Sequence, residues 1–263
     1  MKDLFSLKGK VVVITGGAGY LGSAMTEGLL EFEASVVVAD VVDKKPGEIV
    51  KNGKTYSNLY SIVCDVSSTD SIKEMFKKTK ELCGKIDVLI NCATYGAGGG
   101  VAGSIEKMSD EDWQKGIDGT AGVTLRCTRE VVPYLNEAGG GSIVNIASMY
   151  GMVSPDPRVY GNEGQNNPPN YGAGKAAVIQ LTRYCAAHLA YKNIRVNSVT
   201  PGPFPNPNTQ KNEEFIKNLN GKTMMGRIGK PREIVGAVIL LASDASAYMT
   251  GSNIVVDGGW TAW

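Results

Sequence analysis

Seven short runs rich in valine and isoleucine, separated by longer stretches of helical spacing, constrain this chain more than any other feature. The runs cover residues 11–15, 35–40, 60–66, 87–93, 142–148, 194–200 and 253–257. Most are apolar throughout rather than alternating, which is how strands covered on both faces of a parallel sheet read. Between them lie helix candidates at 21–32, 71–82, 110–135, 171–191 and 231–241. This alternation predicts an α/β fold. One doubly wound sheet of seven mostly parallel strands carries helices on both faces, joined by right-handed crossovers. No repeat or linker divides the 263 residues, so a single domain spanning 1–263 is expected.

The charge balance excludes several classes of partner. With 27 Lys+Arg against 26 Asp+Glu, neither nucleic acid nor an acidic membrane surface is expected. The five cysteines (Cys64, Cys83, Cys92, Cys127, Cys185) are scattered and form no CxxC pair. They read as small buried residues in a reducing compartment, not as a zinc site or disulfide framework. His188 is the single histidine, so a histidine metal cluster is impossible and no metal is expected. No apolar segment of a secretory signal opens the chain, and no run approaches the ~20 residues that span a bilayer. A cytoplasmic location is the expectation.

The first run leads into Thr15-Gly16-Gly17-Ala18-Gly19-Tyr20-Leu21-Gly22. Gly17-x-Gly19-x-x-Gly22 fits the dinucleotide fingerprint in its required setting, after a strand and before a helix. Glycines let the backbone approach a pyrophosphate, and the amides of the following helix start hold the anion. Asp40 ends the second run, 18 residues after Gly22. A carboxylate there accepts hydrogen bonds from the adenosine ribose and repels a 2′-phosphate. Val41 and Val42 follow it, with no adjacent cation. NAD is therefore expected over NADP.

Tyr171-Gly172-Ala173-Gly174-Lys175 has a Y-x-x-x-K spacing, which chance supplies about as readily as function. Its setting gives it weight: it starts a helix after a long loop, downstream of a strand ending in Ser148. Spacing of four puts both side chains on one helix face. A phenol near pKa 10 is a poor acid or base at neutral pH, and a nearby ammonium favours its ionised form. Tyr171 then exchanges a proton with a substrate oxygen while Ser148 holds that oxygen. Two segments at the carboxyl edge of the sheet complete the picture. A polar insertion at 154–170 overhangs the substrate position, and a proline-rich, lid-like segment covers 201–225. In the latter, Asn206 and Thr209 are candidates to touch the nicotinamide amide.

These residues resemble the short-chain dehydrogenase/reductase family over nearly the whole chain. The glycine loop, Asp65-Val66, Asn91-Cys92-Ala93, Ser148, Tyr171, Lys175, Pro201-Gly202 and the tail Thr250-Gly251 … Val256-Asp257-Gly258-Gly259 carry the likeness. It implies a Rossmann-type fold and an oxidoreductase interconverting a secondary alcohol and a ketone. Asp65 and Val66 would border the adenine. Asn91 and Ala93 would lie along the cofactor, with Pro201, Gly202 and Phe204 beside the nicotinamide. Lys175 would also bind the nicotinamide ribose. Members are commonly homotetramers. Tyr20 stands where the compact branch usually has glycine, and Thr120 where the family often has a catalytic asparagine. Thr120's hydroxyl or backbone would then serve the proton relay.

The insertion carries Arg158, Tyr160, Asn162, Glu163, Gln165, Asn166 and Asn167. So many polar groups suit a polar, polyhydroxylated small molecule, with Tyr160 contacting it and Arg158 clamping a carboxylate. Together with the Trp260-Thr261-Ala262-Trp263 ending, the insertion resembles sugar-acid dehydrogenases of the gluconate 5-dehydrogenase type. Two alternatives stay open. The glycine spacing resembles nucleotide-sugar epimerases, whose extra C-terminal domain is not seen before Trp263, and Thr120 admits a catalytically impaired NAD-binding sensor or scaffold. Trp113 reads as a packing anchor, His188 as a packing or subunit contact, and Trp260 and Trp263 as an uncovered apolar pair suited to a subunit interface.

Overall fold

A computed structural model describes residues 2–50, 53–97, 104–161 and 166–263. Seven strands form one sheet: β1 (Val11–Thr15), β2 (Ser35–Asp40), β3 (Leu59–Val63), β4 (Val88–Asn91), β5 (Gly141–Ile146), β6 (Ile194–Pro201) and β7 (Asn253–Val256). Their order is β3-β2-β1-β4-β5-β6-β7, and every pairing is parallel. The winding reverses between β1 and β4, which opens the crevice where ligands of doubly wound sheets bind.

The continuous apolar runs have a direct cause. In β1, Val12 and Ile14 face one hydrophobic cluster with Met25, Leu29, Val238 and Leu241. Val13 faces the opposite cluster with Ile72, Phe76, Val131 and Cys185. The first cluster is closed by α1 (Tyr20–Glu31) and α8 (Val235–Ala242). The second is closed by α3 (Thr69–Cys83), α5 (Val123–Glu137) and α6 (Pro169–Leu189). Residues of both parities are buried, so alternation disappears.

Several boundaries differ from the sequence pattern. β3 ends at Val63 and β5 at Ile146, so Asp65, Val66 and Ser148 stand in the loops beyond. The helix expected over 110–135 is divided into α4 (Asp110–Ile117) and α5 by a wide π-helical turn at Asp118–Gly122. Such turns recur at functional sites. Two helices escaped the periodicity: α2 (Pro46–Ile49), a single turn, and α7 (Glu213–Lys222) within the lid-like segment. The start of α7 was legible, since Asn212 caps it through the Phe215 amide and Glu213 and Glu214 follow in its first turn.

A buried polar chain crosses the sheet centre. Asn91 Nδ2 donates to Thr128 at 3.2 Å and to Asn145 Oδ1 at 2.8 Å, and Asn145 Nδ2 donates to Thr182 at 2.9 Å. Replacing Asn145 with alanine strands two of these groups in the core. The expected loss is roughly 1–3 kcal/mol, read as a lower urea midpoint with unchanged slope.

Candidate active site

The carboxyl ends of β1, β2, β4, β5 and β6 surround a cleft of about 790 Å3. Its floor is the glycine loop. Gly16 has φ +66°, and a Cβ there would lie 2.9 Å from Ala93 Cα. A Cβ on Gly22 would meet the Gly16 carbonyl oxygen at 2.1 Å, so only glycine lets the loop fold onto the start of α1. Gly17 is different: it faces the core against Ile14 and Val38 and does not line the cleft. Gly19 is the N-cap of α1, with no side chain capping it and no acidic residue in the first turn. The orphan amides of that turn are left to the cleft, which is what a pyrophosphate requires.

The walls are tied to this floor. Thr15 Oγ1 accepts the amides of Cys92 and Ala93, each at 3.2 Å. Asp40 accepts the Ala18 and Val42 amides, each at 3.2 Å. Lys44 Nζ donates to the Ala18 carbonyl at 3.0 Å, so a cation absent from the immediate sequence after Asp40 reaches the same loop. Tyr20 crosses the cleft rim to accept from Gln210 Nε2 at 3.3 Å. Leu21, Asp65, Val66, Pro201, Gly202 and Phe204 line the cleft, and so do Ser148, Tyr171 and Lys175.

Those last three meet where β5 ends. Ser148 caps the short turn Met149–Gly151 through the Tyr150 amide at 3.2 Å and also hydrogen-bonds the Tyr171 phenol. Lys175 is 4% exposed; its Nζ donates to the Ile146 carbonyl at 2.6 Å and lies 5.8 Å from the Tyr171 ring centroid. The small residues of the motif allow this approach. A Cβ on Gly174 would sit 1.8 Å from Thr120 Oγ1, so α6 reaches the site only with glycine there. Burial lowers Lys175 to about 8. Burial also raises the Tyr171 phenol, against the hydrogen bond from Ser148. The expected lowering of Tyr171 by Lys175 is thus not realised: desolvation of the phenolate dominates.

Four expectations are corrected by position. Thr120 is buried away from the cleft, its hydroxyl donating to the carbonyls of Gly116 at 2.7 Å and Ile117 at 3.2 Å, while its own carbonyl accepts from Thr124. Asn91 is spent on the polar chain through the sheet and does not line the cleft. Arg158 is turned to solvent and grips Asp156, which Lys222 also holds, so it does not clamp a ligand. Trp260 is covered within the chain, edge-on to Tyr150 at 6.4 Å beside Met149 and Leu219.

Other expectations also found their places. Trp113, expected as a packing anchor, is 39% exposed, and Trp263 is exposed. His188 stacks on Tyr184 at the surface. Asn206 accepts the amides of Asn208 and Thr209, bracing its own loop. Asn162, Glu163 and Gln165 lie outside the described residues.

The sequence reading missed one network. Arg126 holds Asp118 through two nitrogens at 2.6 and 3.0 Å, Tyr95 donates to the same carboxylate, and Arg126 Nε reaches the Val66 carbonyl at 3.3 Å. It binds the π turn to the cleft wall. Only its (i, i+8) Asp–Arg spacing was visible in sequence, and that spacing signals nothing on a regular helix.

A second cavity of about 690 Å3 shares Ser148, Tyr171, Gly202 and Phe204 with the cleft. Tyr150, Tyr160, Asn167, Asn208, Thr209 and Asn212 also line it. The proton-transfer candidates therefore stand between the glycine-floored cleft and a smaller chamber.

Comparison with known proteins agrees with this architecture. A family model described as enoyl-(acyl carrier protein) reductase matches residues 17–261. The chain is 37% identical over 255 residues to a 3-oxoacyl-[acyl-carrier-protein] reductase of Thermotoga maritima, covering 96% of this chain and 98% of the relative. It is 31% identical over 263 residues to a 2-dehydro-3-deoxy-D-gluconate 5-dehydrogenase of Dickeya dadantii, covering 99% and 98%. A short-chain dehydrogenase structure from Leptospira borgpetersenii with bound NAD+ superposes with a TM-score of 0.84 at 32% identity, covering 97% and 94%. The chain belongs to the short-chain dehydrogenase/reductase family, a family of oxidoreductases.

Lys175 gives a prediction with a defined sign. Its pKa of about 8 lies below the ~10.4 of an unfolded lysine. Between these values the unfolded chain binds more protons, so native stability rises with pH there. Lys175→Met removes this dependence. Its stability advantage over the parent, read by urea denaturation, should shrink as pH rises from about 8 to about 10.

Proposed function

We propose that this chain is an NAD-dependent dehydrogenase/reductase that interconverts a secondary alcohol and a ketone on a sugar acid or polyol. The observation that carries the reading is the convergence of Ser148, Tyr171 and Lys175 where the glycine-floored cleft meets the second cavity. The dinucleotide, when bound, supplies the hydride acceptor or donor. The uncapped start of α1 receives its pyrophosphate, and Asp40 receives its adenosine ribose. Asp65 and Val66 border its adenine, and Pro201, Gly202 and Phe204 flank the nicotinamide end.

The chain's own groups handle the proton. Ser148 donates to the substrate oxygen and fixes its position. Burial keeps Tyr171 protonated at neutral pH, which is the state that gives a proton to a ketone oxygen under reduction. In the oxidative direction Tyr171 takes the alcohol proton, so this direction is favoured by alkali. Lys175, fixed on the Ile146 carbonyl, places its ammonium beside the phenol and the nicotinamide ribose. The polar lining of the second cavity and the sugar-acid substrate named for the Dickeya relative support the substrate class. The family resemblance supports a homotetramer, checked by light scattering.

Tyr171→Phe should lower turnover by at least about a thousandfold while NADH still binds with near-parent affinity, measured by fluorescence titration. Substantial residual activity overturns the assignment. Parent kcat/KM for alcohol oxidation should climb between about pH 7 and about pH 10, with ketone reduction moving the opposite way. Parent kcat/KM should favour NAD over NADP, and Asp40→Ser should narrow that preference by about tenfold or more; higher parent efficiency with NADP overturns the role of Asp40.

A further inference from the structure

The second cavity differs from the nucleotide cleft in its charge. Among the described residues that line it, none is Lys, Arg, His, Asp or Glu. Two cations around its insertion wall are not offered to it: Arg158 and Lys222 both hold Asp156. Lys115 and Lys175 line the cleft and not this chamber. A carboxylate bound in such a place would meet no charged lining side chain among the described residues, whereas a hydroxyl needs only a hydrogen-bond partner.

A partner for a hydroxyl is present. Tyr150 and Tyr160 both line the cavity, and their phenol oxygens lie 3.3 Å apart. Two phenols carry two donors and several acceptor positions, and one mutual bond consumes one of each. The pair therefore retains one O–H donor and spare lone pairs. No other hydrogen bond engages either hydroxyl among the described residues. Both rings are held from behind. Tyr150 packs edge-on to Trp260 at 6.4 Å and Tyr160 lies against Phe215 at 5.4 Å. Burial raises both phenols, so each keeps its proton at neutral pH. A rigid donor–acceptor pair beside Ser148 and Tyr171 matches a second hydroxyl near the reacting carbon.

We propose that the Tyr150–Tyr160 hydroxyl pair determines specificity and that the cavity selects an uncharged polyol or polyhydroxyketone over the corresponding sugar acid. This rests on the dehydrogenase reading above and narrows its substrate class. Tyr150 comes from the turn after Ser148 and Tyr160 from the insertion, so the insertion brings in half of the recognition element.

The test measures NADH formation by parent, Tyr150→Phe, Tyr160→Phe and the double variant. The substrates are a panel of pentitols and hexitols, each matched with its aldonate, together with cyclohexanol as an alcohol with no second hydroxyl. Tyr→Phe keeps the ring contacts, and thermal denaturation confirms that each variant is folded. Parent kcat/KM for the best polyol should exceed that for its aldonate by about tenfold or more. Each single variant should lose about tenfold on polyols while cyclohexanol changes less than about twofold. The double variant should lose little more than either single, because the two hydroxyls act as one unit. A preference for the aldonate overturns the uncharged substrate. Equal losses on polyol and cyclohexanol, or no loss on either, overturn the tyrosine pair. Turnover of no alcohol by a chain that still binds NADH overturns the dehydrogenase reading itself, and this inference with it.

Discussion

A sheet whose strands all run one way delivers every strand end to a single edge, and it can be stable only if both faces are covered. Both consequences shape this chain. Coverage by α1 and α8 on one side and by α3, α5 and α6 on the other makes the strands apolar throughout. Delivery to one edge brings Thr15, Asp40, Asn91, Ile146 and Pro201 together, although they are spread over most of the sequence. The cleft is thus a product of topology. The loops that leave these five ends supply its chemistry.

Burial governs the electrostatics of that chemistry. Lys175 is drawn down to about 8 and Tyr171 is pushed up, because removing water disfavours the charged form of each. The Ile146 carbonyl compensates the ammonium in part by accepting a hydrogen bond from it at 2.6 Å. The two shifts carry the pair apart: at neutral pH the lysine is the weaker holder of its proton and the phenol stays protonated. The motif's spacing on α6 puts the pair side by side, and the depth of the site sets their acidity.

The fold and the cofactor cleft were largely legible in the sequence, because both rest on short-range signals. Val and Ile runs mark strands, and glycines followed by a helix start mark the phosphate loop. Ser148, Tyr171 and Lys175 follow from local spacing plus their place after β5. Readings failed where residue type alone did not say which partner, near or far, a side chain takes. Arg158 looked available for a ligand, but Asp156 two residues earlier holds it. Thr120 was singled out because it stands at the family's asparagine position, while its hydroxyl is spent on the carbonyls of Gly116 and Ile117. Trp260 seemed uncovered because the elements that cover it, around Tyr150 and Leu219, lie far away in sequence. The Tyr95–Asp118–Arg126 network was invisible for the same reason.

The hydrogen bond from Gln210 to Tyr20 joins residues 190 positions apart across the cleft rim. One end belongs to the phosphate loop and the other to the segment that carries α7. A single exposed bond of this kind is weak, on the order of 1 kcal/mol. A contact of this strength links the two loops without locking them. A glycine at position 20 would carry no such hydroxyl, so it is the tyrosine side chain that ties the glycine loop to the segment whose Asn208, Thr209 and Asn212 line the second cavity.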